Sequence, residues 1–548
     1  MNDQSTLKTF WQRLWDMHHQ AKDLMKFMAT GDSERSKPSN SKEQSVEEGN
    51  GGPSFDMRQK IGLLLGPLLF VLTLIFLEAD GLSDSAVAIL ASTLWIATWW
   101  ITEAVPIPAT SLLPLILFPV TGGLEGGATA SSYGDNTIFL FMGGFLIALA
   151  MQKWNLHKRM ALFIIASVGT STEQIVLGFM VATGSLSMWI SNTATAMMMV
   201  PIGMAVIYQA SEQLKKKGET VDHSDFHFGK AVMLGIAYSA SIGGLATLIG
   251  TPPNTIFKGV VEQTYGIEVT FAGWMAFGVP LAVIFLAIAW FYLVKMAYPM
   301  RIKELPGGRK VIREERQSLG MMSSEEKIVM TVFSITALAW ISRSFILVEI
   351  NENINDTMIA MTAAVLLFLI PSKNKKGDFL LDWDTAKGLP WGILLLFGAG
   401  LAIATGFQET GLAEWIGKQL TILEGVNLIL IVIIVAALVI FLTEITSNTA
   451  TATMMFPIMA SLASALSVHP YSLMIAAGVA ASCAFMLPVA TPPNAVVFGS
   501  GYLRIPDMAK AGFLLNVFAV ILVTLAIYFY LPLVWDIDLT SFPERFNQ

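Results

Sequence analysis

At 548 residues, with 54% hydrophobic and only 14% charged side chains, the chain is too apolar for a soluble multidomain protein, which carries roughly 25% charged residues. The formal net charge of −7 says little, because in a membrane protein the placement of charge matters more than its sum, and no nucleic-acid partner is expected. Cys483 is the single cysteine, which excludes intrachain disulfides and thiol metal clusters; lying in an apolar stretch, it is expected to be a small buried hydrophobe.

Residues 1–57 are expected to form a cytoplasmic tail. Residues 1–29 mix Trp11, Trp15, His18 and His19 with lysines and hold no apolar core of a signal peptide. Residues 31–54 are rich in Ser, Glu, Gly and Lys and read as a disordered linker. A surface-lying helix over 5–29 and a solvated tail both fit the composition. From residue 62, apolar runs of about 20 residues recur, each long enough to cross a hydrocarbon core of roughly 30 Å. Full spans are predicted near 62–78, 86–104, 107–121, 136–152, 230–250, 270–297, 328–348, 357–371, 389–408, 471–490 and 511–533.

Two further stretches, 174–211 and 425–468, are too long for one crossing and marginal for two. The first holds no charged residue and the second only Glu444. Each has the turn Ser-Asn-Thr at its middle, which predicts a hairpin that enters the membrane and leaves by the same side. Irregular backbone at that depth is tolerated only where it is buried in protein or faces a water-filled cavity. The expected fold class is therefore an all-α polytopic membrane protein of eleven transmembrane helices plus two re-entrant hairpins.

Lys and Arg set the orientation. Loops holding Lys153, Lys158, Arg159, Lys215–Lys217, Arg301, Lys303, Lys373, Lys375, Lys376 and Arg504 mark the cytoplasmic side, while the opposite loops hold little beyond Lys258, Arg343 and Lys418. The predicted organisation is a first half over 58–298 with its hairpin entering from inside and a basic cytoplasmic linker over 299–327. A second half over 328–535, with its hairpin entering from outside, precedes an extracellular tail over 536–548.

The halves echo one another. "SNTATAMMMVP" at 191–201 returns as "SNTATATMMFP" at 447–457, identical at nine of eleven positions. The same offset pairs Phe141 with Phe397, Gly144 with Gly400, Ser187 with Thr443 and Pro201 with Pro457. "IGTPPNTIF" at 249–257 returns as "VATPPNAVVF" at 489–498. Five predicted spans separate the hairpins, so the repeats should be inverted, an arrangement that places binding sites near the midplane between discontinuous helices.

The motif chemistry suits a cation and an anion together. Free N–H groups at a half-helix start favour carboxylate oxygens. Exposed carbonyls and hydroxyls favour a hard cation, and Asn offers both an acceptor oxygen and a donor NH₂. Thr-Pro-Pro removes two donors and frees carbonyls just before it. Small polar residues also pack helices together, but duplication of both motifs within apolar surroundings favours a site. Glu444 has Met188 as its counterpart, so it is no symmetric ligand; a structural anchor and a coupling element both remain open.

Ser-Asn-Thr at 191–193 and 447–449, followed by Thr-Pro-Pro at 251–253 and 491–493, resembles the divalent anion–sodium symporter family, over residues 58 to 535. The resemblance implies a homodimer whose protomers divide into a scaffold and a transport domain moving like an elevator. It implies one sodium site from Ser187, Ser191, Asn192 and the Gly250 carbonyl, and a second from Thr443, Ser447, Asn448 and the Ala490 carbonyl. Substrate would touch Asn192, Thr193, Asn448, Thr449, Thr491 and Pro492. The expected function is symport of sodium with C4-dicarboxylates such as succinate, malate or fumarate at the cell membrane. The alternative is sodium-independent exchange of dicarboxylates or oxoacids on the same fold. An enzyme is not expected, since no P-loop, HExxH or GxSxG is present.

Overall fold

The computed structural model describes residues 56–546 apart from 170, 217–225, 301–307 and 424. The expected tail over 1–57 therefore lies almost wholly outside the described residues, as do Lys217, Arg301 and Lys303. The described secondary structure is helical, the form that lets an apolar chain satisfy its backbone groups internally.

The first half opens with α1 (Met57–Phe76), α2 (Asp84–Thr102), and the short α3 (Ile107–Thr110) and α4 (Pro114–Thr121). It continues with α5 (Gly126–Ser132), α6 (Asn136–Lys153), α7 (Leu156–Val168), α8 (Thr172–Ser187), α9 (Asn192–Lys216), α10 (His227–Gly244), α11 (Pro252–Tyr265) and α12 (Phe271–Phe291). The connecting segment carries α13 (Gly308–Ser318). The second half contains α14 (Ser324–Ser342), α15 (Asp356–Leu369), α16 (Trp391–Glu409), α17 (Leu412–Leu420), α18 (Leu428–Thr443), α19 (Asn448–Ala465), α20 (Pro470–Ala481), α21 (Pro492–Phe498) and α22 (Ile505–Leu525). Among the described residues, eight helical segments are long and apolar enough to cross a membrane, with shorter apolar helices such as Asp356–Leu369 and Pro470–Ala481 beside them.

Several boundaries differ from the sequence expectation, each for a local reason. The runs 230–250 and 471–490 are not continuous spans. Helix α10 stops at Gly244 and α20 at Ala481, and the chain resumes as helix only at Pro252 and Pro492. Two prolines at each restart supply no N–H to continue the earlier ladder. The run 107–121 divides where Pro114 starts a new helix. The predicted linker over 299–327 contains α13, and α7 and α17 were not anticipated, since their charged residues interrupt the apolar pattern. Helix α22 starts six residues before the predicted 511, because Arg504 and Asp507 cap its first turn and Pro506 fits there.

Helices α10 and α20 are the innermost: from Phe228 to Gly244 and from Pro470 to Ala481 every residue is buried. Helix α8 packs against α10, and α18 and α19 pack against α20. The α8–α10 approach is so close that a Cβ on Gly243 would lie 2.2 Å from the Gly184 carbonyl oxygen. Only glycine fits there.

Candidate functional site

Each Ser-Asn-Thr motif joins two helices, α8 to α9 and α18 to α19, and in both cases the Asn is the first helical residue after the turn. In the first half, Ser187 Oγ stands against Asn192 Oδ1 (2.5 Å) and the Ala240 carbonyl (2.7 Å), two acceptors for its one hydroxyl hydrogen. In the second, Thr443 Oγ1 stands against Asn448 Oδ1 (2.7 Å) and the Ala481 carbonyl (3.0 Å). The predicted pairing of Ser187 with Thr443 is thus repeated as geometry.

The break after α10 closes around the same Asn. A Cβ on Gly244 would lie 2.9 Å from Asn192 Oδ1 and 3.1 Å from the Gly250 carbonyl oxygen, and one on Gly250 would lie 2.5 Å from the Gly244 carbonyl. Ser187, Asn192 and Gly250 are therefore brought together as a cluster of oxygen atoms, the donor set a hard cation favours. Ser191 Oγ accepts from the Ala194 N–H (3.3 Å) as a cap. Ala490 occupies the step before Thr491 that Gly250 occupies before Thr251, and it is buried.

The halves interlock. Helix α9 packs against α21, and α11 packs against α19, so each hairpin lies on the Thr-Pro-Pro helix of the other half. Ser191, Asn192, Thr193, Ser447 and Asn448 are half-buried, whereas Thr449 and Thr491 are buried and Pro492 is exposed. The Thr193 hydroxyl has no hydrogen-bond partner among the described residues, while Thr491 Oγ1 accepts from the Asn494 N–H (3.3 Å).

The two Thr-Pro-Pro helices differ in exposure. On α11, Thr255 and Gly259 are buried and Pro252 half-buried. Their counterparts on α21, Ala495, Gly499 and Pro492, are all exposed, as is Val489 ahead of them. The α21 side of this region is therefore the open one.

Three further residues shape the site. Asn254 and Asn494, the last letter of each duplicated TPPN, are fully buried. Asn254 Nδ2 donates to the carbonyls of Gly244 (3.1 Å) and Thr247 (2.8 Å), and Asn494 Nδ2 to those of Ala484 (3.2 Å) and Leu487 (3.0 Å). They tie the unwound backbone to the restarted helix. The duplication of the fourth letter was the signal that could have found them. The third is Glu444, which holds the second break together: its carboxylate accepts from the N–H groups of Phe485 (2.7 Å), Met486 (2.9 Å) and Leu487 (3.0 Å), and from Asn516 Nδ2 (2.7 Å). The first half closes its break differently, through local turns at Leu245 and Ala246 and a bond from Thr247 Oγ1 to the Met188 carbonyl (2.5 Å).

Glu444→Ala would leave four donors without a partner, and each unsatisfied buried donor costs about 1–3 kcal/mol. The expected result is a fall of about 5 °C or more in the Tm of the purified protein. An unchanged Tm would show that the carboxylate is dispensable to the break.

A family model for the sodium:sulfate symporter transmembrane region matches residues 59–536. A sodium-dependent dicarboxylate transporter, SdcS, of Staphylococcus saprophyticus is 52% identical over 491 residues, covering 89% of this chain and 94% of that protein. The SdcS of Staphylococcus aureus strain USA300 is 51% identical over 490 residues, with the same coverage of 89% and 94%. Two solved structures share the fold at 10% identity. The Alcanivorax borkumensis YdaH transporter has a TM-score of 0.53, with 83% of this chain and 99% of that one covered. Neisseria gonorrhoeae MtrF has 0.51, with 87% and 96% covered. With a model match over nearly all described residues and about half of the aligned positions shared with SdcS, the chain is a multi-pass membrane transporter, not an enzyme, and belongs to the divalent anion–sodium symporter family.

Proposed function

We propose that this chain is a secondary active symporter that imports C4-dicarboxylates with sodium. The observation that carries this reading is the pair of half-buried Asn192 and Asn448, each held by a hydroxyl and each on a hairpin packed against the other half's broken helix. The names of the relatives that are 51–52% identical, sodium-dependent dicarboxylate transporters, point the same way. In this reading sodium is a co-transported substrate. Ser187, Ser191, Asn192 and the Gly250 carbonyl take one ion; Thr443, Ser447, Asn448 and the Ala490 carbonyl take another. The dicarboxylate lies between the tips against Asn192, Thr193, Asn448, Thr449, Thr491 and Pro492.

Eleven crossings, two re-entrant hairpins and inverted halves form the proposed topology, with residues 58–298 and 328–535 as the halves. The amino terminus would be cytoplasmic and the carboxyl terminus extracellular. Exposure along α21 and burial along α11 then correspond to a site open to one side only, as alternating access requires. An elevator movement of one domain within a homodimer, as the family resemblance implies, would expose it to the other.

Uptake of radiolabelled succinate into proteoliposomes tests the reading. Uptake should require a sodium gradient and collapse when potassium replaces sodium. Equal uptake in potassium would favour exchange.

Thr193 and Thr449 should act on the substrate more than on sodium. Losing a hydroxyl that bonds a charged carboxylate costs about 1.5–3 kcal/mol, roughly ten- to a hundredfold in affinity. Thr193→Ala and Thr449→Ala should raise the apparent dicarboxylate constant by that factor and the sodium constant by less. The opposite pattern would assign these hydroxyls to the cation.

A further inference from the structure

Away from the hairpins, α14 and α15 border an apolar groove of about 820 Å³. Val332, Ile335 and Ala339 form one wall; Met358, Thr362 and Leu366 form the other. Ile335, Met358 and Leu366 are exposed, so the groove opens outward from the protein. Its longer wall runs from Val332 to Leu347, about 22 Å at 1.5 Å per residue. That exceeds the ~15 Å that one leaflet contributes to a hydrocarbon core of roughly 30 Å.

The two ends of the groove differ in charge. Beyond Leu347 and Ile354 stand the exposed Glu349 and Glu352. At the other end, exposed Lys327 lies five residues before Val332. The loop over 372–376 is fastened to the same end: Glu325 Oε1 accepts from Ser372 Oγ (2.9 Å), the Lys373 N–H (2.9 Å) and the Asn374 N–H (2.8 Å). This brings exposed Lys373, Lys375 and Lys376 beside the start of α14. Of the neighbouring acids, Glu326 pairs with Arg159 and both Asp378 and Asp382 pair with Lys153, while Glu325 is held by neutral donors; Lys375 Nζ also lies over the Trp154 ring, 5.7 Å from its centre. Among the described residues Lys327, Lys373, Lys375 and Lys376 have no carboxylate partner.

We propose that this groove is a binding site for one anionic phospholipid, its acyl chain between α14 and α15 and its headgroup on Lys327, Lys373, Lys375 and Lys376. An apolar channel longer than a leaflet fits the chain, and at one mouth the six cations Lys153, Arg159, Lys327, Lys373, Lys375 and Lys376 outnumber the four carboxylates Glu325, Glu326, Asp378 and Asp382, with acids at the other, which fixes the way the lipid points.

Native mass spectrometry of purified protein equilibrated with equal phosphatidylglycerol and phosphatidylcholine tests this. The unmodified protein should retain phosphatidylglycerol at least fivefold over phosphatidylcholine. The quadruple variant K327Q/K373Q/K375Q/K376Q should lose that preference. Thr362→Phe, which fills the groove, should release the retained lipid of either kind while the oligomeric mass is unchanged. If Thr362→Phe fails to fold, the milder Ala339→Leu replaces it and the quadruple variant still decides the headgroup. Equal retention of both lipids by the unmodified protein would overturn the proposal. So would a groove-filling variant that keeps its lipid but changes oligomeric mass, since a second copy would then occupy the groove.

Discussion

Asn192→Ala and Asn448→Ala should each reduce sodium-driven dicarboxylate uptake by a hundredfold or more, while the protein remains folded and of unchanged size. Each Asn is asked for two contacts at once. Asn192 Oδ1 sits 2.5 Å from Ser187 Oγ and beside the Gly250 carbonyl, where a cation would be held, and the half-buried residue has an amide NH₂ with which to meet a carboxylate. A lost hydrogen bond to a charged group costs about 1.5–3 kcal/mol, and a lost cation ligand adds a comparable amount. Together these exceed the 2.8 kcal/mol that corresponds to roughly a hundredfold. The fold should survive, because a half-exposed side chain at a helix start leaves no core cavity. Uptake per correctly inserted protein, with Tm and elution volume as controls, reads the effect. Near-normal uptake in either variant would remove the hairpin tips from the site.

Sodium should bind before the dicarboxylate and raise its affinity by about 5- to 150-fold, the usual range for coupled sites. The substrate carries two negative charges, yet none of the proposed contact residues is Lys or Arg. Lys258, one turn beyond Asn254, is turned elsewhere: its Nζ donates to the Val269 carbonyl (3.0 Å) and pairs with Glu262 and Glu268. An unpaired dianion in a desolvated site is prohibitive. Helix ends supply only about half a charge each, so bound cations must provide the remainder. By linkage, the dicarboxylate must raise sodium affinity by the same factor. Calorimetric titration of purified protein with succinate, in sodium and in its absence, measures the coupling. Equal affinity in both would overturn it.

Much of this site was readable from the sequence because duplication separates signal from packing. One Ser-Asn-Thr among Met and Ala could be a helix contact; two, each followed by Thr-Pro-Pro-Asn, could hardly be coincidence. The pairing of Ser187 with Thr443 came from register alone and reappears as matching bonds to Asn192 and Asn448. What escaped was what depends on distant partners. The role of Glu444 was undecided because its four donors lie 41 to 72 residues away. Continuous helices were expected over 230–250 and 471–490 because hydropathy averages over a break whose residues are themselves apolar. Helices α7, α13 and α17 were missed because amphipathic helices with charged faces look, to a span-length window, like loops.

The unequal exposure of α11 and α21 means that the molecule departs from its own internal symmetry where the motifs lie. Two copies of one design stand in different settings: Thr255 and Gly259 enclosed, Ala495 and Gly499 open. On the proposed cycle, the missing half of the story is already present in the chain. Each repeat serves as a template for the other, and exchanging their surroundings describes the opposite end of the stroke. There Pro252, Thr255 and Gly259 would meet water, and Pro492, Ala495 and Gly499 would be sealed.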